Sequence, residues 1–247
     1  MRSFLKWTGI LLGALLVGLV ILYFITSEAL PEGTAGNEAE QMADRMLAAV
    51  DQPGWDTTRY VSWDFAGRNQ YLWDRQAHNV RVQSGDVRVL LHTKSVTGTA
   101  FKDGQLLTGE AATEAVQAAW ANFCNDSFWL AAPFKVRDPG TTRELVPLEE
   151  GGQGLLVTYT GGGVTPGDSY LWSLDETGLP TQWKMWTSRP PLNGIPSAWT
   201  EYVTLPTGAR LSTLHPSALF DLKLSGVKGG MTLAEAGADA DPFVEMQ

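Results

Sequence analysis

From Trp55 onward, apolar side chains recur at every second position between short turn signals, and this alternation limits most of the chain to β-strand. Val61, Trp63 and Phe65 alternate with Tyr60, Ser62 and Asp64, and Val87, Val89 and Leu91 with Arg88, Leu90 and His92. Tyr71-Leu72-Trp73 and Val80-Arg81-Val82 lie between them. Gly67-Arg68-Asn69, Ser84-Gly85-Asp86 and Asp103-Gly104 carry the turn residues that reverse a chain within a few positions, so the reading is an antiparallel meander. Strands resume over 155–159, 170–174 and 182–187, the last two joined by a hairpin loop at 175–178, and more are expected over 198–205, 209–214 and 219–224.

Two segments switch to helical period. Asn37 with Glu40 three residues on has the pattern of a capping box, and Met42, Ala43, Met46, Leu47 and Val50 form one face before Pro53-Gly54 ends the helix. A second helix is expected from Thr108 to about Cys124, with Ala112, Val116, Ala119, Trp120 and Phe123 on one stripe. The predicted fold class is α+β: a single curved antiparallel β-sheet, an incomplete barrel, covered by two or three helices, plus one N-terminal transmembrane helix.

That last helix rests on residues 7–27, which hold no charge and are almost wholly apolar over 10–25, about the length a bilayer requires. Arg2 and Lys6 precede the run while Glu28 and Glu32 follow it, so the N-terminus is expected in the cytoplasm and the remainder outside. The expected location is the inner membrane, single-pass, with the C-terminal domain in the periplasm or extracytoplasmic space. A cleaved signal peptide, with Ser27-Glu28-Ala29 as the cleavage triplet, is the competing reading and exports the same domain. The expected organisation is anchor 1–27, spacer 28–36, β-rich envelope domain 37–228 and a flexible acidic tail 229–247.

With 18 Lys and Arg against 27 Asp and Glu, two of the cations ahead of residue 27, the exported part carries about −11. Nucleic-acid binding needs a basic footprint and is excluded on that ground. One cysteine, Cys124, precludes an intrachain disulfide, and its apolar surroundings mark it as a small buried hydrophobe.

Sequence motifs for chemistry are sparse. His78, His92 and His215 share no short motif, so no metal site and no cofactor are expected. Gly-x-Ser-x-Gly does not occur, and Thr160-Gly161-Gly162-Gly163 precedes a strand where a phosphate cradle would need a helix. No catalytic residue is assigned. Asp126 and Asp168 both lie beside aromatics that could desolvate a carboxylate, and both also suit capping or turn roles.

The unusual feature is aromatic. Trp55, Trp63, Trp73, Trp120, Trp129, Trp172, Trp183, Trp186 and Trp199 all follow the apolar run, and several strands carry aromatics on both faces. Two apolar faces imply a wrapped sheet with an occupied interior, or an apolar surface for a ligand. Trp63, Trp73, Trp172 and Met185 are therefore expected to share one continuous apolar surface under the first helix, with Met42 and Met46 capping it.

An anchor or signal, an amphipathic helix at 38–50, and a strand meander interrupted by a helix together resemble the lipoprotein-localisation carrier superfamily of the bacterial periplasm, over roughly residues 38–226. The segments 123–133 and 159–172 resemble stretches of an uncharacterised envelope-protein group. The carrier resemblance implies an incomplete β-barrel closed by helices around an apolar cavity for acyl chains. The expected function is a membrane-anchored binding module for a lipid, lipoprotein acyl chain or other apolar ligand. A structural or assembly partner in the envelope and, third, a hydrolase using Asp126 or Asp168 are the alternatives; no protein partner can be named.

Overall fold

The computed structural model describes residues 27–162 and 164–246, so the expected anchor lies outside the described residues. Helices α1 (Asn37–Ala49) and α2 (Gln52–Thr57) lead into β1 (Tyr60–Phe65), β2 (Asn69–Asp74), β3 (Asn79–Ser84), β4 (Val87–His92), β5 (Thr97–Lys102) and the short β6 (Gln105–Leu106). Helix α3 (Gly109–Ala131) follows, and then β7 (Thr141–Pro147), β8 (Gln153–Tyr159), β9 (Ser169–Leu174), β10 (Pro180–Ser188) and β11 (Pro191–Ala198). The chain closes with β12 (Thr200–Thr204), β13 (Arg210–Pro216) and β14 (Asp221–Gly230). Among the described residues, no helix is long and apolar enough to cross a membrane.

The expected single sheet is two open antiparallel sheets. One has nine strands in the order β12-β13-β14-β1-β2-β3-β4-β5-β6, the other five in the order β11-β10-β9-β8-β7. The chain passes from one to the other at Trp199, between β11 and β12, where the side chain is buried and Glu201 adopts φ 51°. An isolated bridge between Ser197 and Ser217 touches the two sheets together there. Alternation reports faces within a strand and is silent about where pairing stops, which is why the break is invisible in the sequence.

Each sheet buries one face under a helix. Val61, Trp63, Phe65, Tyr71, Val80, Val82, Val89 and Leu91 of the larger sheet pack with Val116, Ala119, Phe123 and Leu130 of α3. Leu155, Val157, Tyr170, Trp172, Trp183 and Met185 of the smaller sheet pack with Ala39, Met42, Ala43 and Met46 of α1. The outer faces are apolar too: Val146, Leu156, Leu171 and Trp186 cluster on the smaller sheet, and Tyr60 and Leu72 with Ala236 on the larger.

Three local expectations change. Helix α1 has Gly36 rather than Asn37 at its N-cap and so no side-chain cap, since glycine has no side chain to offer, and Glu40 pairs with Arg143 (2.9 Å) and Arg137 (2.7 Å). The helix ends at Ala49, and Pro53-Gly54 belongs to α2, whose N-cap Asp51 accepts from the Gly54 amide at 3.0 Å. Helix α3 continues past Cys124 to Ala131, since Asp126 turns its carboxylate away from the helix backbone to side chains of β2. The residues after Gly229, expected as a flexible tail, are seated on the outer face of the larger sheet. There Ala236 and Phe243 are buried, Ser62 Oγ donates to the Ala236 carbonyl (2.7 Å), and Arg88 pairs with Glu245 (3.0 Å).

Candidate functional site: the aromatic interior under the first helix

Four of the six residues expected to share a surface do so. Met42 and Met46, one turn apart on α1, meet Trp172 of β9 and Met185 of β10 in one cluster. Trp63 and Trp73 lie instead in the core under α3, where Trp63 stacks on its cross-strand partner Tyr71 (ring centroids 4.4 Å) and Trp73 meets Phe123 edge-on (5.1 Å). The expectation of one continuous surface is corrected by the sheet break: β1 and β2 belong to a different sheet from β9 and β10.

Residues outside the six expected to share a surface complete the interior of the smaller sheet. Trp183 lies 4.8 Å from both Trp172 and Trp199, and Trp172 lies 4.9 Å from Trp199. Trp199 then meets His215 at 4.4 Å, and Trp129, near the end of α3, meets Trp183 at 4.8 Å and His215 at 5.4 Å. Trp183 could have been read from its alternation with Met185; nothing local in the sequence marks Trp199 or His215.

The polar atoms of this interior are short of partners. Trp172, Trp183 and His215 are 0% exposed. The indole Nε1 atoms of Trp172, Trp183 and Trp199, the Tyr159 hydroxyl and both ring nitrogens of His215 make no hydrogen bond. Leaving a buried polar atom unpaired costs on the order of 1–3 kcal/mol, so most folds satisfy nearly all of them. Burial pushes the His215 imidazole down to about 3, with the Ala198 backbone pulling weakly the other way, so the ring is neutral at physiological pH. A neutral imidazole among indole N–H groups offers donors to an oxygen-bearing group inside an apolar lining.

Both carboxylates considered for catalysis are held in structural hydrogen bonds. Asp126 accepts from Tyr71 OH (2.6 Å), Asn69 Nδ2 (2.8 Å) and Asn125 Nδ2 (2.8 Å), which ties α3 to β2. Desolvation raises its pKa from the ordinary carboxylate value, and the three donors oppose that rise. Asp168 accepts from Ser188 N (2.9 Å) and Ser188 Oγ (3.2 Å), tying the β8–β9 connection to the β10–β11 hairpin. Burial pushes the Cys124 thiol up to about 12, which leaves it unreactive. Among the described residues, no three His, Cys, Asp or Glu side chains converge as a metal would require.

Two surface grooves lie elsewhere. One, of about 620 Å³, runs between the C-terminal segment and β2–β5, and includes Arg59, Asp74, His92 and Phe243 in its lining. The other lies beside Trp63 and Arg81. Neither is lined by Met42, Met46, Trp172 or Met185.

No family model matches the sequence, and no curated protein matches it. Among solved structures the chain is similar to the crystal structure of a DUF1329 family protein from Desulfovibrio piger, at 10% identity and a TM-score of 0.37, covering 78% of this chain and 93% of that chain. A likeness of that degree assigns neither family nor function.

Proposed function

We propose that the chain is a membrane-anchored, envelope-side binding module that holds an apolar ligand, a lipid or acyl chain, against the interior lined by Met42, Met46, Trp172 and Met185. The carrying observation is the set of buried, unpaired donors on Trp172, Trp183 and Trp199 within that apolar lining. An ester or carboxyl oxygen would satisfy them, while the surrounding rings and thioethers would take the hydrocarbon. Trp63 and Trp73, in the neighbouring core, would support the fold rather than touch the ligand.

Native mass spectrometry of the full chain, purified in mild detergent and then denatured, tests the reading. A lipid-sized mass that is released on denaturation, and is lost in a Trp172→Phe/Trp183→Phe double variant, is the expected result. A bare protein mass would instead favour a structural or assembly role. That second reading has its own observation: Met46, Trp172 and Trp183 are fully enclosed and in mutual contact within their cluster, as in a solid core.

A further inference from the structure

The spacer between the expected anchor and α1 is fastened to the smaller sheet at both ends. Glu28 N donates to the Asn193 carbonyl (3.0 Å), Trp186 Nε1 donates to the Glu28 carbonyl (2.9 Å), and Lys184 pairs with the Glu28 carboxylate (2.8 Å). Thr34 exchanges two backbone hydrogen bonds with Leu145 of β7, both 2.9 Å. Asn193 is in β11 and Leu145 in β7, the two outermost strands of this sheet. Crossing a sheet of this width takes about 20 Å, close to the full extension of the residues between Glu28 and Thr34. The spacer is therefore a taut strap over the outer face of the sheet.

The strap's first fastening is close to one end of the sheet. Asn193 pairs with Trp186, next to the β10–β11 hairpin tip at 188–191, and Asp168 binds that tip to the β8–β9 connection. Three residues reach at most about 10 Å, so if the apolar run up to residue 25 lies in the bilayer, Glu28 and this end of the sheet must lie close to it.

The surface chemistry of the two ends agrees with that placement. Residues 160–162, 164–167 and 188–191 contain no acid; they present Val164 (43% exposed), three prolines and Arg189. The adjoining turn before β7 carries Asp138, already paired with Lys135 at 3.1 Å. The opposite end carries Glu149 and Glu150 in one connection and Asp175 and Glu176 in the other, all exposed, with Arg45 of α1 beside the second. Carboxylates are repelled by anionic headgroups, whereas a small, neutral or basic tip is not.

We infer that the domain sits on its own membrane in one fixed orientation, with the tips formed by residues 160–162, 164–167 and 188–191 against the phospholipid headgroups and the Glu149–Asp175 end pointing away. The inference rests on the anchored reading under Proposed function. Strap and hairpin act together: the strap removes the slack a free linker would have, and the tips supply the contact.

The test uses the full chain reconstituted in phosphatidylcholine vesicles that contain doxyl-labelled lipid. A Cys124→Ala background receives an environment-sensitive fluorophore at Gly161→Cys or Val164→Cys for the near end, and at Glu149→Cys or Glu176→Cys for the far end. Quenching several-fold stronger at both near positions is expected. Equal quenching at all four, or stronger quenching at the far end, in a chain that resists carbonate extraction overturns the orientation and leaves the anchor standing. A chain that carbonate removes from the vesicles overturns both.

Discussion

The ring of Trp199 meets that of His215 edge-on, with centroids 4.4 Å apart, at the seam where the chain leaves one sheet for the other. The pairing sets an uncharged imidazole against an indole in a place neither solvent nor a counter-charge reaches. Protonating His215 there would put an unpaired cation in an apolar interior.

Stability should therefore depend on His215 below neutral pH. Its folded value is depressed to about 3 from 6.5, so between those values the unfolded chain binds the proton and the folded chain does not. Stability from this group is full above about 6.5 and falls on acidification by up to about 1.4 kcal/mol per pH unit. Asp126, raised, works in the opposite direction, and Asp74, lowered, adds to the loss only at still lower pH. Denaturant melts from pH 7 to 4 should show a shallower decline for His215→Phe than for the wild type; parallel curves would contradict the assignment.

Asp126 should prove to be a tie between helix and sheet. Asp126→Ala leaves Tyr71 OH and Asn69 Nδ2 without their acceptor and is expected to cost about 2–4 kcal/mol, with Tyr71→Phe costing about 1–2. Asp126→Asn should fall between the wild type and Asp126→Ala. Equilibrium urea unfolding measures all three, and an Asp126→Ala variant as stable as the wild type would refute the role.

The solvent side of α1 is held by Arg143, which reaches Glu40 and also donates to the Val136 carbonyl (2.9 Å) and to Thr141 Oγ1 (2.7 Å). Arg143→Ala should cost about 1–3 kcal/mol, since it removes backbone bonds as well as an ion pair. Glu40→Gln should cost less than about 1 kcal/mol, because the glutamine keeps a hydrogen-bond acceptor for Arg143 and the ion pair it weakens is partly exposed. Hydrogen exchange should then show faster opening of α1 in Arg143→Ala, while α3 stays protected.

Ending the chain after Gly230 should destabilise the larger sheet by about 2–4 kcal/mol through exposure of Tyr60 and Leu72. Thermal and denaturant melts of the truncated and full domains measure this. Identical midpoints would show that the C-terminal segment contributes nothing to the fold.

The strand period, the turns between strands, the amphipathic faces of α1 and α3, and apolar surfaces on both sides of a sheet were all legible in the sequence, because each is set within a few neighbouring residues. The apolar faces that carry Met42 and Met46 on α1, and Trp172 and Met185 on their strands, were legible for the same reason, whereas their meeting in one cluster is a tertiary fact. Tertiary structure alone decided that the sheet stops at Trp199, and so that Trp63 and Trp73 pack under α3 instead of α1. It also decided that Asp126 stays inside a helix, that His215 is buried against Trp199 and Trp129, and that the spacer is a strap. Each of these depends on which distant segment covers a given face or supplies a given hydrogen bond. Period and turn chemistry carry no information about partners more than a hairpin away.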